Sequence, residues 1–335
     1  MKTKLFYRLI LVSILTATSL YANSSISGRG ASFPSTVYID WAEAYEEATG
    51  NKIHYSPTGS GDGIISIKRR MVDFGGSDKP LQPWRLERYN LSMFPTIIGS
   101  IVLAYNIPGI KDNELKLSEK AIAAIFSGEA KYWDDPVIKA HNYALLLPHK
   151  RIKVAVRSDE SGTTFNFTYY LRKIDYDHFH KASTKFDWKA ETIEGKGNGG
   201  VSDNIKNNEY AIGYIEYSYK QKENLSAATV ENKAGHWISP SINACKDGAQ
   251  YSNMHMNNDF FAMITYPEGE TSYPIIATSF ILLPNEKKGS NGEIIAFFKW
   301  VFENGEDIAK KHGYAFLPKS TIEEIKFYWK SKKLL

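Results

Sequence analysis

Val156-Arg157-Ser158-Asp159-Glu160-Ser161-Gly162-Thr163-Thr164 joins two segments of different periodicity, and its reading decides the fold. Upstream, from Arg151, charged residues alternate with Ile152, Val154 and Val156, the period-two pattern of a strand. Downstream, Phe165, Tyr169 and Arg172 recur at helical spacing, with Ser161 or Asp159 placed to cap that helix. The turn is therefore expected at a strand's C-terminal end and a helix's N-terminus. Such a terminus exposes unpaired backbone N–H groups and the positive end of the helix dipole, so Ser161, Gly162 and Thr163 can present several donors to one oxyanion. Arg157 adds a planar, permanently charged fork. On this stretch alone two readings stay open: an anion cradle, or a capped helix beside a surface arginine.

Outward from this turn, a glycine-bearing loop ahead of a helix recurs. Gly28-Arg29-Gly30-Ala31-Ser32-Phe33-Pro34 precedes an apolar helical face of Val37, Tyr38, Trp41, Ala42 and Tyr45 that ends at Gly50. Lys52 to Tyr55 runs as a short strand into Thr58-Gly59-Ser60-Gly61-Asp62-Gly63, followed by Ile64, Ile67 and Met71 at helical spacing. Gly195-Lys196-Gly197-Asn198-Gly199-Gly200 leads into a short helix at Val201 to Ile205. Val72-Asp73-Phe74-Gly75-Gly76-Ser77-Asp78 is a short apolar run that breaks into a glycine turn ending in an acid. Strands alternating with helices give an α/β architecture, whose ligands gather at strand C-terminal ends. Any one glycine loop is an ordinary connector. Their joint presence with Arg157 and Asp78 is what points to a converging anion site.

The remaining elements read mainly as scaffold. Phe94 to Tyr105, a long apolar stretch interrupted by Pro95 and Gly99, and Ile275 to Leu283 are expected to be buried strands that cross between lobes and return. Ala211 to Tyr217 is a further strand, and Ser118 to Phe126, closed by Gly128, a capped helix. Ile294, Phe297, Phe298 and Val301 trace a helical face, as do Ile322, Ile325, Phe327 and Trp329 more loosely. Residues 219 to 272 show no clear period.

Residues 1–22 read as a secretory signal peptide: Lys2, Lys4 and Arg8 are basic, Leu9 to Leu15 is the apolar core, and Leu20-Tyr21-Ala22 is an acceptable cleavage site. The apolar run is shorter than the roughly 18–20 residues of a transmembrane helix, so the mature protein is expected to be soluble and exported. The chain has 41 Lys and Arg against 37 Asp and Glu, and three of the basic residues lie in the signal, so the remainder is close to neutral. Sequence-independent nucleic-acid binding needs many phosphate contacts and is disfavoured. The single cysteine, Cys245, rules out an intrachain disulfide and a cysteine-rich zinc site, and reads as a buried small residue. At 335 residues the chain exceeds the usual single-core size of roughly 250–300 residues, so two lobes are expected.

Other chemistries find less support. Gly195-Lys196-Gly197 lacks the Lys-Ser/Thr ending of a P-loop, and Gly28-Arg29-Gly30 lacks the third glycine of a dinucleotide fingerprint. Ser161 is not in a Gly-x-Ser-x-Gly elbow. His178 and His180 share a face if that segment is extended, without evident further metal ligands, and read as a surface pair. No catalytic residue, metal or cofactor is assigned.

Gly30-Ala31-Ser32-Phe33-Pro34, Gly59-Ser60-Gly61-Asp62-Gly63, Val72 to Asp78, Arg157 to Thr163, Gly195 to Asn198 and Ala211-Ile212-Gly213-Tyr214 occur in an order and spacing that resembles the periplasmic phosphate-binding proteins of bacterial high-affinity phosphate ABC transporters. The resemblance spans essentially the whole mature chain. It implies an α/β, two-lobe periplasmic-binding-protein fold of type II, with lobe I at residues 23–97 plus 273–335, lobe II at 98–272 and the ligand in the cleft between them. It implies that Ser32, Phe33, Ser60, Arg157, Ser161, Gly162 and Thr163 donate to inorganic phosphate, that Asp78 accepts, and that Asp159 holds the Arg157 guanidinium. The implied protein is a monomeric, non-enzymatic periplasmic receptor that delivers phosphate to the membrane permease subunits of an ABC transporter. A secreted phosphatase-like enzyme and a receptor or sensor for another oxyanion are the alternatives. Ser32, where many relatives have Thr, and Gly-Ser-Gly-Asp-Gly, where they have Gly-Ser-Ser-Gly-Gly, depart from the family pattern. If Asp62 or Glu160 points inward, the added negative charge lowers affinity.

Overall fold

The computed structural model describes residues 26–335, so the secretory signal read at residues 1–22 lies outside the described residues. Nine strands form one mixed sheet: β1 Ile26–Gly30, β2 Ile53–Pro57, β3 Phe74–Ser77, β4 Leu91–Asn106, β5 Lys153–Arg157, β6 Thr192–Gly195, β7 Ala211–Glu216, β8 Ser226–Ala227 and β9 Ile276–Pro284. Their order is β2-β1-β3-β9-β4-β7-β5-β6, with β8 pairing β4. β1 lies parallel to β2 and β3, and β5 parallel to β6 and β7. β9 runs antiparallel to β3 and β4, and β4 antiparallel to β7. Two parallel blocks are thus joined by long antiparallel strands.

β4 is the joint. It is 16 residues long and buried along all but its last residue. From Leu91 to Ser100 it pairs with β9, and from Ile101 to Asn106 with β7, so it changes partner between Ser100 and Ile101. Pro95 does not break the strand, because the β4–β9 register shifts there and Thr96 is the extra residue of the resulting bulge. Thr96 Oγ1 donates to Ser279 O at 3.1 Å and ties the irregularity down. Gly99 is needed for another reason: a Cβ there would lie 2.8 Å from Phe33 Cζ and 3.0 Å from Tyr314 Cδ1, so its absence lets Phe33 pack directly on β4.

Helices follow the parallel strands. α1 Ser35–Thr49 comes after β1, α2 Ser60–Lys68 after β2, α3 Gly162–Ile174 after β5 and α4 Gly197–Asn207 after β6. α1 stops at Gly50, which takes a left-handed φ of 75°. The helical spacing read as far as Met71 overshoots: Arg70 turns the chain with a φ of 56°, and Met71 is left exposed beyond the helix. Tyr38, Trp41, Phe74, Phe94, Phe298 and Trp329 interlock in one block of the fold. Phe126, Phe167, Trp188 and Tyr214 do so in the other. Burying each such ring stabilises by about 1.5–3 kcal/mol.

Residues 219–272 resist periodic reading because their elements are short. They include the strands Thr229–Glu231 and Trp237–Ile238, which form a small second sheet with Lys116–Leu117, and the helix Ile242–Ala249, in which Cys245 is buried.

Gly63, inside α2, is where that helix meets the sheet. A Cβ there would lie 2.4 Å from Gly76 O, 2.7 Å from Gly30 Cα and 2.9 Å from Arg29 O, all backbone. The helix-propensity gain of about 1 kcal/mol for alanine is outweighed by this overlap. Urea unfolding of Gly63→Ala should show a net loss of about 1 kcal/mol or more, and an unchanged midpoint would contradict this packing.

Candidate anion-binding site

Arg157 ends β5, and its side chain is only 1% exposed. Its guanidinium is gripped from one edge by Asp159 two residues on, with Nε donating to Oδ1 at 2.8 Å and Nη2 to Oδ2 at 2.5 Å. Asp159 Oδ1 also accepts the Gly197 N–H at 2.9 Å. Burial raises the Asp159 pKa, but the hydrogen bonds and charge of Arg157, with the Gly197 N–H, outweigh it and bring the group below its ordinary value. Arg157 Nη1 donates to Thr163 Oγ1 at 3.2 Å. Of the five guanidinium N–H groups, one on each terminal nitrogen remains.

The helix that follows starts where the pattern placed it. Ser161 is the cap, its Oγ accepting the Thr164 N–H at 3.0 Å and its O the Phe165 N–H at 3.0 Å; Asp159 serves Arg157 instead. The N–H groups of Gly162 and Thr163 have no protein acceptor among the described residues. Only glycine fits at 162, because a Cβ would lie 2.3 Å from Ser60 Oγ and 2.7 Å from Asp78 Cβ. The first turn of α3 therefore abuts the first turn of α2 and the loop after β3.

Asp78 lies at that contact and is 1% exposed. Ser60 Oγ accepts the Asp78 N–H at 3.1 Å and donates to Oδ2 at 3.3 Å, while Ser279 Oγ donates to Oδ1. Burial pushes the Asp78 carboxyl up to about 7, against the Ser279 hydrogen bond, the Arg157 charge and the Ser60 hydrogen bond. Asn166, on α3, fastens the two loops by donating from Nδ2 to Asp78 O at 2.7 Å and to Gly162 O at 2.9 Å.

The first loop closes the group. Ser32 Oγ accepts from Asn198 N and Nδ2, both at 3.1 Å, and Ser32 O accepts from Tyr219 at 3.0 Å. The Phe33 ring belongs to the core and its carbonyl accepts the Tyr314 hydroxyl at 2.6 Å, so only its N–H, without a protein acceptor among the described residues, is left for a ligand. Asp62 is turned away, accepting from Thr58 Oγ1 at 2.5 Å and facing Arg29 at 3.7 Å. Glu160 is exposed and lies along Gly61, its carbonyl accepting the Gly61 N–H at 2.9 Å.

The structure thus gathers Ser32, Phe33, Ser60, Asp78, Arg157, Asp159, Ser161, Gly162 and Thr163 around one point. Sequence reasoning did not single out Asn198, Ser279 or Asn166. Signals existed for the first two: Asn198 lies inside the glycine run Gly195 to Gly200, and Ser279, with Thr278, puts hydroxyls into a strand whose other residues are apolar. His178 is engaged with Asp175 and Glu129, and no cluster of metal-ligating groups occurs among the described residues.

The sequence model of the PBP superfamily domain matches residues 16–304. The phosphate-binding protein PstS of Haemophilus influenzae is 41% identical over 337 residues, covering 99% of this chain and 99% of that protein. That of Methanocaldococcus jannaschii is 34% identical, covering 89% of this chain and 84% of its own. The chain belongs to the PstS family of the PBP superfamily. Among solved structures, a phosphate binding protein from Stenotrophomonas maltophilia superposes with a TM-score of 0.68 at 17% identity, covering 91% of this chain and 93% of its own. PfluDING, a high affinity periplasmic phosphate-binding protein bound with phosphate, gives 0.72 at 18%, covering 90% and 93%. At these identities the likeness is one of fold, the periplasmic-binding-protein fold that the family resemblance implied.

A second buried acid lies behind the site. Glu216, at the end of β7 opposite Ile101, accepts the Ser218 N–H at 2.8 Å and the Ser218 hydroxyl on Oε2, while Oε1 is buried with no hydrogen-bond partner among the described residues. Burial drives its pKa up to about 8, opposed by the Ser218 bonds and Tyr314 and assisted by the Asp78 charge. A carboxyl raised on folding contributes stability that is complete below its unfolded pKa, near 4.5, and lost as pH rises through about 8. Glu216→Gln should therefore gain melting temperature relative to wild type between pH 5 and pH 9 in the ligand-free protein. Parallel curves would mean that Glu216 does not titrate there.

Proposed function

We propose that this chain is a periplasmic receptor, exported by a cleavable signal, that binds inorganic phosphate between two lobes and delivers it to an ABC-type membrane transporter. The lobes are residues 23–97 plus 273–335 and residues 98–272, and the receptor acts as a monomer without enzymatic activity. Phosphate takes hydrogen bonds from the N–H groups of Phe33, Ser60, Gly162 and Thr163, from the hydroxyls of Ser32, Ser161 and Thr163, and from the free edge of Arg157. Asp78 accepts a hydrogen bond from the protonated oxygen of the ligand. The relatives named for phosphate binding support the choice of anion.

The observation that carries this reading is one buried carboxyl, Asp78, set among hydrogen-bond donors. An ionised carboxylate only accepts, so it fits a ligand that keeps a proton near neutral pH, as phosphate does and sulfate does not. Hydrogen bonds to charged groups contribute about 1.5–3 kcal/mol each, enough together for micromolar binding, about 8 kcal/mol, or better. The non-enzymatic reading is supported by Ser161 Oγ capping its own helix and by the ring pairings of His149, His178, His255 and His312 with carboxylates elsewhere. No helix among the described residues is long and apolar enough to cross a membrane.

Calorimetric titration of protein stripped by unfolding and refolding should show tight one-to-one binding of phosphate and no heat with sulfate at pH 8. Binding of neither anion, or steady hydrolysis of a chromogenic phosphate ester by the pure protein, would refute the reading. Arg157→Ala should weaken phosphate at least about tenfold, near 1.4 kcal/mol. Sulfate binds only when Asp78 is itself protonated, so sulfate competition should strengthen up to about tenfold per unit as pH falls from 8.5 toward 7. Asp78→Asn should abolish that dependence and narrow the gap between the two anions.

A further inference from the structure

We propose that Asn198 is the positioning residue that makes the Ser32 and Thr163 hydroxyls obligate donors to the bound anion. The inference rests on the phosphate-receptor reading and assigns the orientation of two groups within that site.

A hydroxyl carries one proton and two lone pairs, and left alone it presents either face to a ligand. Here both lone pairs of both hydroxyls are filled. Ser32 Oγ accepts from the Asn198 backbone N–H and from Nδ2, each at 3.1 Å. Thr163 Oγ1 accepts from Arg157 Nη1 and from Asn198 Nδ2, each at 3.2 Å. Neither hydroxyl proton has a protein acceptor among the described residues, so each is directed to whatever occupies the site.

The amide cannot be turned round. Asn198 Oδ1 accepts the Glu216 backbone N–H at 2.9 Å, and a backbone N–H only donates, so Nδ2 must face the hydroxyls. Its two protons then go one to Ser32 and one to Thr163, and every polar atom of this fully buried side chain is used. Ser32 follows β1, Thr163 follows β5 and Asn198 follows β6, so one amide joins loops from the two parallel blocks of the sheet. An anion that offers only lone pairs at these points meets two protons with no alternative destination. A ligand that needs an acceptor there meets none.

The test is a double-mutant cycle on phosphate affinity, with Asn198→Ala, the pair Ser32→Ala with Thr163→Val, and all three together, each checked for folding by thermal melting. Asn198→Ala should weaken phosphate at least about tenfold in wild type and less than about threefold once the hydroxyls are gone. Equal losses in both backgrounds would overturn the proposal, because a merely structural role does not depend on the two hydroxyls. If the alanine variant does not fold, Asn198→Ser, a polar side chain one atom shorter that also lacks the two Nδ2 protons, runs the same cycle. Failure of wild-type protein to bind phosphate would sink the receptor reading and this proposal together. Normal wild-type binding with a flat cycle would sink this proposal alone.

Discussion

A guanidinium buried to 1% exposure must have its charge answered, and the bidentate Arg157–Asp159 pair does so. Isolated burial of such a cation costs far more than one interaction repays, so the acid is fixed in turn by the Gly197 N–H. The consequences spread outward. Asp159 cannot cap α3, which leaves that task to Ser161, and the partnered edge of Arg157 leaves its other edge facing the first turn of the helix. Gly59 must lack a side chain, because a Cβ there would sit 2.4 Å from Asp159 Oδ2. A local ion pair thus dictates residue choice in a loop about a hundred positions earlier.

With Arg157 paired to Asp159, the proposed site offers hydrogen-bond direction more than net charge. This agrees with a chain whose acidic and basic residues nearly balance. Donors converge from helix starts, where N–H groups are unpaired by construction, and from hydroxyls whose lone pairs are already occupied. The lone acceptor, Asp78, is held close to its titration point by burial working against its partners. Glu216, behind it, is driven up by the same burial and by Asp78 itself. Burial thus raises both acids of this region toward the neutral range.

β4 links this chemistry to the frame. It changes partner between Ser100 and Ile101, and Glu216 faces it at that change. Just before it, Gly99 admits the Phe33 ring, whose backbone belongs to the loop after β1. Tyr314, at the edge of the same ring, donates to Phe33 O. Loop position is thereby coupled to the strand that joins the two blocks.

The sequence by itself determined the alternation of strands and helices, the glycine loops between them and the chemistry of the organising turn. Each of these is a local property: a period of two or 3.6, a cap, a glycine where a backbone must come close. It determined less in residues 219–272, where elements of two to eight residues are too short to show a period, and it overshot α2 because the reversal at Arg70 uses a non-glycine left-handed residue. Only the tertiary structure removed the surface-arginine reading, by burying Arg157 and setting Ser60, Asp78 and Ser32 from distant loops beside it. It also decided the parts played by Asn198, Asn166 and Ser279. Their significance lies in which atoms they meet, across separations of 35 to 201 residues, and no local pattern records that.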